Sequence, residues 1–177
     1  MSEVHVFGLN HFLQNIRAKC KTPAGQASEH EQKAALRATL DQIIRERSID
    51  LIAEEAPVEP CIGRALADEH RIGYVDLTMP ICEREKFGVR TPEYSLHPAT
   101  QARAYEVFED YFFRLTKSKR ANIPLVICGR RHFRSLEKLF QGSGDTVRVY
   151  DIYDHDWYLG LPLEGADGLA GYHRYDD

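Results

Sequence analysis

The chain reads as an α/β protein: a mostly parallel central sheet of about five strands with helices on both faces. Three observations predict this. Short apolar runs at residues 4–7, 49–53, 72–75, 124–128 and 146–150 alternate with amphipathic helical patterns along the chain. Residues 51–53 are apolar at every position, as in a strand covered on both sides. Three of these runs end in histidine or carboxylate, which suits a site beyond the carboxyl ends of parallel strands.

Residues 4–7 form the first strand, and Gly8 interrupts it, allowing a tight turn. Asn10, His11, Phe12 and Leu13 open a short helical stretch, and residues 21–25 are a loop by their proline and glycine. Ser28, with Glu31 three residues on, makes a capping box and predicts a helix from there to about Arg47. Leu36, Leu40, Ile43 and Ile44 fall on one face of it; Lys33, Arg37, Asp41 and Arg45 are solvated charges on the other.

Residues 49–53 are the central strand, stopped by Glu54-Glu55-Ala56-Pro57. Residues 63–70 are helical, and residues 72–75 form a strand that ends at Asp76. Thr78-Met79-Pro80 opens an irregular stretch to about Thr100, of which 81–100 is a candidate lid. Pro98 suits the first turn of a long helix. Its apolar stripe is Ala104, Phe108, Tyr111 and Leu115, widened by Tyr105 and Phe112, which are core aromatics. The basic run at 117–120 matches the dipole at a helix C-terminus.

Residues 124–128 are followed by Gly129-Arg130-Arg131-His132, then by Phe133, Leu136, Leu139 and Phe140 at helical spacing. Residues 146–150 are a strand by their alternating valines. Residues 151–177 read as an irregular C-terminal segment packed by Trp157, Leu159 and Leu161.

A chain of 177 residues with 43% hydrophobic and 28% charged side chains forms one domain with a substantial core. The net charge of −4 offers no basic face, so no nucleic-acid partner is expected. No apolar run is long enough to span a bilayer, and the N-terminus leads almost directly into a strand. Cys20, Cys61, Cys82 and Cys128 form no C-x-x-C pair, and Cys128 reads as a packed thiol. A reducing, cytoplasmic setting is the expectation.

If the strands are parallel, His11, Glu54, Glu55, Asp76, His132 and Asp151 all emerge on one edge of the sheet. Two imidazoles with one or two carboxylates suit a divalent metal such as Mn, Zn or Co. A bound metal lowers the pKa of a water and polarises a carbonyl or phosphoryl oxygen. Without one, a histidine backed by a carboxylate can act as a general base. Glu54 and Glu55 are adjacent on a strand and face opposite ways, so one of them enters the site and the sequence leaves open which. Asp76 is a candidate metal ligand or a turn-forming aspartate. Arg130 and Arg131 are candidates to hold an acidic group, or plain surface arginines at a helix start. Asp151, Asp154, His155 and Asp156 make either a ligand cluster or a solvated turn.

The order of Gly8-Leu9-Asn10-His11, Glu54-Glu55 and Gly129-Arg130-Arg131-His132 resembles the TraB/PrgY–Tiki superfamily, and more distantly erythromycin esterase-like and ChaN-like proteins. The resemblance spans residues 4 to about 140 and rests on these short motifs and their order. It implies an α/β fold, a hydrolase-like activity on a peptide, ester or related bond, and a site made of His11, Glu54 or Glu55, and His132. It implies a metal in the Tiki branch and leaves the metal open in the esterase branch.

The reading is therefore a metal-assisted hydrolase acting on a small-molecule or peptide substrate. His11, Glu55, His132 and Asp76 are its candidate metal ligands, and His11, Glu54, Glu55 and His132 its candidate catalytic groups. The alternative is a small-ligand or metal-binding domain of the same fold without catalysis. A restriction-like nuclease fits less well, because Glu54-Glu55-Ala56 lacks the lysine that such a site carries on its strand.

Overall fold

The computed structural model describes residues 2–10, 13, 23–55, 60–89, 98–164 and 170–173. Its sheet is made of β1 (Glu3–Leu9), β2 (Leu51–Glu54), β3 (Gly73–Asp76), β4 (Pro124–Gly129) and β5 (Thr146–Asp151). The five strands lie in the order β3-β2-β4-β1-β5, and every neighbouring pair is parallel. The helices are α1 (Pro23–Arg47), α2 (Ile62–His70), α3 (Ile81–Lys86), α4 (Pro98–Ser118) and α5 (Arg130–Gly142). The predicted α/β architecture is the observed one.

Strand alternation divides the core into two layers. Val4, Val6, Ala53, Val126 and Cys128 pack with Phe108 and Phe112 of α4 and Leu136 and Phe140 of α5. Phe7, Leu9, Ile52, Leu125 and Ile127 pack with Leu36, Leu40 and Ile44 of α1 and Leu66 of α2. Each fully buried valine, leucine, isoleucine or phenylalanine among them contributes about 1.5–3 kcal/mol. Connections that step towards β3 run over the α1/α2 face, and those that return run over the α4/α5 face, as right-handed crossovers require. Neighbouring β1 and β4 therefore send their chains to opposite faces, and a crevice opens between their carboxyl ends.

Gly8 does not end β1. It lies within the strand, paired with Cys128 on one side and Asp151 on the other. Its small size serves packing instead, because a Cβ there would fall 2.8 Å from Cγ of Phe133 in α5. The first helix also starts earlier than its capping box implies. Pro23 takes the position where a missing N–H costs nothing. Gln32, 2% exposed, donates to the Gly160 carbonyl at 3.2 Å and accepts from Leu159 N–H at 3.1 Å. The Gln32 side chain thus ties the helix to the C-terminal segment.

The stretch 81–100 begins with the helix α3, whose Arg84 donates to the Met79 carbonyl at 2.7 Å and lies over the Phe108 ring. Residues 90–97 lie outside the described residues. The C-terminal segment is more regular than expected. A 3-10 turn at Ile152–Asp154 is followed by an antiparallel pair, β6 (Leu161–Glu164) with β7 (Ala170–His173). Leu159 is 44% exposed, and Tyr158, 1% exposed, takes the packing position instead.

Two carboxylates hold the amino edge of the sheet. Asp50 accepts the N–H groups of Asn122 and Ile123 at 2.7 and 3.0 Å, tying the start of β4 to β2. Asp145 accepts from Lys117 Nζ, Ser2 Oγ and Ser143 Oγ, each at 2.7 Å. Burial alone would raise the Asp145 pKa, but these hydrogen bonds outweigh it and bring it down to about 2. A depressed carboxylate stabilises the fold above its unfolded pKa, and that contribution disappears as pH falls through the folded value. Asp145→Asn is thus expected to cost about 1–2 kcal/mol at neutral pH. It should also flatten the loss of stability between about pH 4 and 2, read by urea unfolding across that range. No helix among the described residues is long and apolar enough to cross a membrane.

Candidate active site

A cavity of about 330 Å³ lies in the crevice at the carboxyl ends of β1 and β4. Leu9 and Asn10 reach it from β1, Gly129, Arg130, Arg131 and His132 from the β4–α5 junction, and Glu55 from the end of β2. Tyr105 and Phe108 of α4 form one wall, and Ile152, Tyr153 and Tyr158 form another. His132 is 5% exposed and Glu55 is 8% exposed.

The two sit together. His132 Nε2 lies 3.4 Å from Glu55 Oε1. The other Glu55 oxygen accepts the Gly129 N–H at 2.7 Å. Gly129 is the N-cap of α5, so the helix start is already occupied by a carboxylate of the chain itself. The remaining ring nitrogen, Nδ1, is 3.0 Å from Glu109 Oε1. Tyr105 and Phe112 meet the imidazole edge-on, at centroid distances of 4.8 and 5.8 Å. Burial pushes the His132 pKa down; the hydrogen bond to Glu109 and the negative charges of Glu55 and Glu109 outweigh it and leave the ring above its ordinary value.

The other predicted residues separate. Glu54, 1% exposed, turns to the opposite face from Glu55. It accepts from Tyr74 Oη at 3.0 Å and packs against Gly63 in the first turn of α2. Nearby, Cys61 lies 3.6 Å from the Tyr74 hydroxyl, and burial pushes its thiol up to about 11. Cys61, Cys82 and Cys128 are free cysteines. Asp76 does not line the cavity: it is exposed at the end of β3, and its carboxylate takes the Thr78 N–H at 2.7 Å, the turn-forming role.

Arg130 lines the cavity but is held by Asp151, with Nε at 2.9 Å from Oδ1, and its guanidinium lies 4.0 Å above the Tyr153 ring. Arg131 is on the exposed rim and donates to Tyr105 Oη at 2.8 Å. Asp151 also accepts the Tyr153 N–H at 3.0 Å, while His155 stacks between Phe7 and Trp157. These residues therefore serve the turn and the aromatic packing rather than one ligand cluster. His11 lies outside the described residues.

Glu109 is the site residue that sequence reasoning missed. The signal was present: Tyr105, Phe108, Glu109 and Phe112 follow helical spacing, so a carboxylate stands on the buried stripe of α4. Buried acids are rare unless paired.

Among the described residues no group of three or more His, Cys, Asp and Glu side chains could hold a metal ion. The pair His132 and Glu55 nonetheless has the donor chemistry of a divalent site. Two donors at about 2.0–2.2 Å from one tetrahedral ion stand roughly 3.4 Å apart, and their atoms are 3.4 Å apart here. Compared with family models, with curated proteins and with solved structures, the chain matches none.

Proposed function

We propose that this chain is a hydrolase whose reacting groups are Glu55 and His132, acting on a peptide, ester or related bond in a small-molecule or peptide substrate. The observation that carries this is a buried imidazole beside a buried carboxylate, at the floor of a cavity in the crevice of a parallel sheet. In the metal-free site His132 Nε2 accepts the proton of an attacking water, Glu55 beside it stabilises the imidazolium, and the imidazolium returns the proton to the leaving group. Arg131 at the rim and Arg130 on the wall orient an acidic group of the substrate. Glu54 supports the end of β2 from the other side.

A divalent ion (Mn, Zn or Co) would instead be held by His132 Nε2 and Glu55, with His11 completing the set, and Nε2 would then take no proton. Such an ion, when bound, makes water a stronger acid and polarises the bond under attack. The motif order shared with the TraB/PrgY–Tiki superfamily supports this reading, as does the absence of a basic surplus in a chain of net charge −4. A cytoplasmic setting, with no nucleic-acid or membrane partner, belongs to the same proposal.

The test is a panel of carboxylate-bearing peptides, esters and phosphoesters, assayed with Mn, Zn or Co added. Turnover of one class, absent in Glu55→Gln, is the expected result. Metal binding without turnover of any class would overturn the hydrolase reading and leave a binding domain of the same fold.

A further inference from the structure

A neutral imidazole carries one N–H, and the nitrogen that holds it decides what the ring presents to the cavity. We propose that Glu109 is a positioning residue that keeps the His132 proton on Nδ1, so that Nε2 offers its lone pair towards Glu55 and the cavity. The use of that lone pair in chemistry rests on the hydrolytic reading; the tautomer itself does not.

Two carboxylates compete for the single N–H. Glu109 Oε1 stands 3.0 Å from Nδ1 with hydrogen-bond geometry, whereas Glu55 Oε1 stands 3.4 Å from Nε2. The first distance lies within the normal range for N–H···O and the second beyond it. The other Glu55 oxygen accepts the Gly129 N–H at 2.7 Å, which holds the carboxylate with Oε1 at that longer distance.

Glu109 itself is 6% exposed, on a helix face otherwise made of Tyr105, Phe108 and Phe112. An acid there raises the cost of burial and adds little to packing. Its place is explained by the ring it faces. Tyr105 and Phe112 meet that ring at 88° and 87°, which fixes its plane between the two carboxylates. A ligating or basic histidine is commonly oriented in this way by a carboxylate on its far nitrogen.

Solution NMR of the full, metal-free chain with ¹⁵N-labelled histidine reads the tautomer directly, at pH about 9, above the ordinary imidazole range. The His132 signals are assigned by their loss in His132→Asn. A protonated Nδ1 and an unprotonated Nε2 are expected in wild type and in Glu109→Gln, whose amide oxygen still accepts. Glu109→Leu should move the proton to Nε2, the tautomer that isolated histidine prefers.

A wild-type proton on Nε2, a ring still doubly protonated at that pH, or a Glu109→Leu ring unchanged from wild type would each overturn the proposal. Should Glu109→Leu fail to fold, wild type and Glu109→Gln still decide it. Where turnover is measurable, Glu109→Leu should lower kcat about 10–100-fold at unchanged KM. A shifted tautomer with unchanged kcat would reject the hydrolytic use of the ring while leaving the assignment of Glu109 intact.

Discussion

Glu55→Gln is expected to lower turnover by about 10²–10⁴-fold, the range for losing general acid–base catalysis, while the fold survives. The two effects separate because the side chain has two jobs. One oxygen accepts the Gly129 N–H at 2.7 Å, and a glutamine carbonyl can still do this. The other faces His132 Nε2 at 3.4 Å, and an amide there neither takes a proton nor supports a positive charge on the ring. His132→Ala should lose turnover as well, but with a lower melting temperature. It empties a buried site edged by Tyr105 and Phe112 and leaves Glu55 and Glu109 without the ring between them. A steady-state assay beside thermal unfolding distinguishes the two variants. Equal turnover in wild type and Glu55→Gln would remove Glu55 from the chemistry.

Gly63→Ala is expected to do the opposite: to cost stability and spare the chemistry of any molecule that remains folded. A Cβ on Gly63 would stand 2.3 Å from a Glu54 carboxylate oxygen and 2.8 Å from its carboxyl carbon. Glu54 is 1% exposed and accepts from Tyr74 Oη at 3.0 Å, so it has little room to withdraw. Overpacking costs about 1–3 kcal/mol and a disrupted buried hydrogen bond about 1–3 more. Alanine returns about 1 kcal/mol through helix propensity. The net expectation is a loss of about 1–5 kcal/mol by urea unfolding. Combining it with Glu54→Ala should recover part of that loss, because the clash is with the side chain removed. Additive losses in the double variant would show that Gly63 and Glu54 are not coupled. Glu54→Gln should keep turnover near wild type, in contrast to Glu55→Gln.

The contrast between the two glutamates marks how far the sequence could be read. Strand alternation predicts that they face apart, and they do; which one shares a face with His132 depends on the order of the strands. Leu51 and Ala53 pack under α4 and α5, so Glu55 follows them towards α5, while Glu54 follows Ile52 towards α2. That order, with β4 inserted between β2 and β1, is a long-range property that no local pattern reports. Strand and helix existence was legible because apolar runs and helical stripes are local signals.

Gly8 was legible as a special position but not in its reason, since Phe133 lies on a helix far along the chain. The start of α1 at Pro23 carries a local signal of its own, a proline suited to a first helical turn, which competes with the capping box at Ser28. Glu109 is readable in principle, as an acid inside an apolar stripe, but the stripe alone accounts for its neighbours and does not say which ring the acid faces. Asp76, placed by the sequence at a strand end like the others, is separated from His132 by the width of β2.

Metal content is the most direct measure of whether Glu55 and His132 act as one centre. The full chain, purified and incubated with Mn, Zn or Co, then freed of excess metal, is analysed by mass spectrometry beside Glu55→Gln, His132→Asn and His11→Ala. About one equivalent of one of these metals is expected in wild type, and its loss in each of the three variants. No retained metal in wild type, or equal retention in the Glu55 and His132 variants, would show that the two side chains do not form one metal centre.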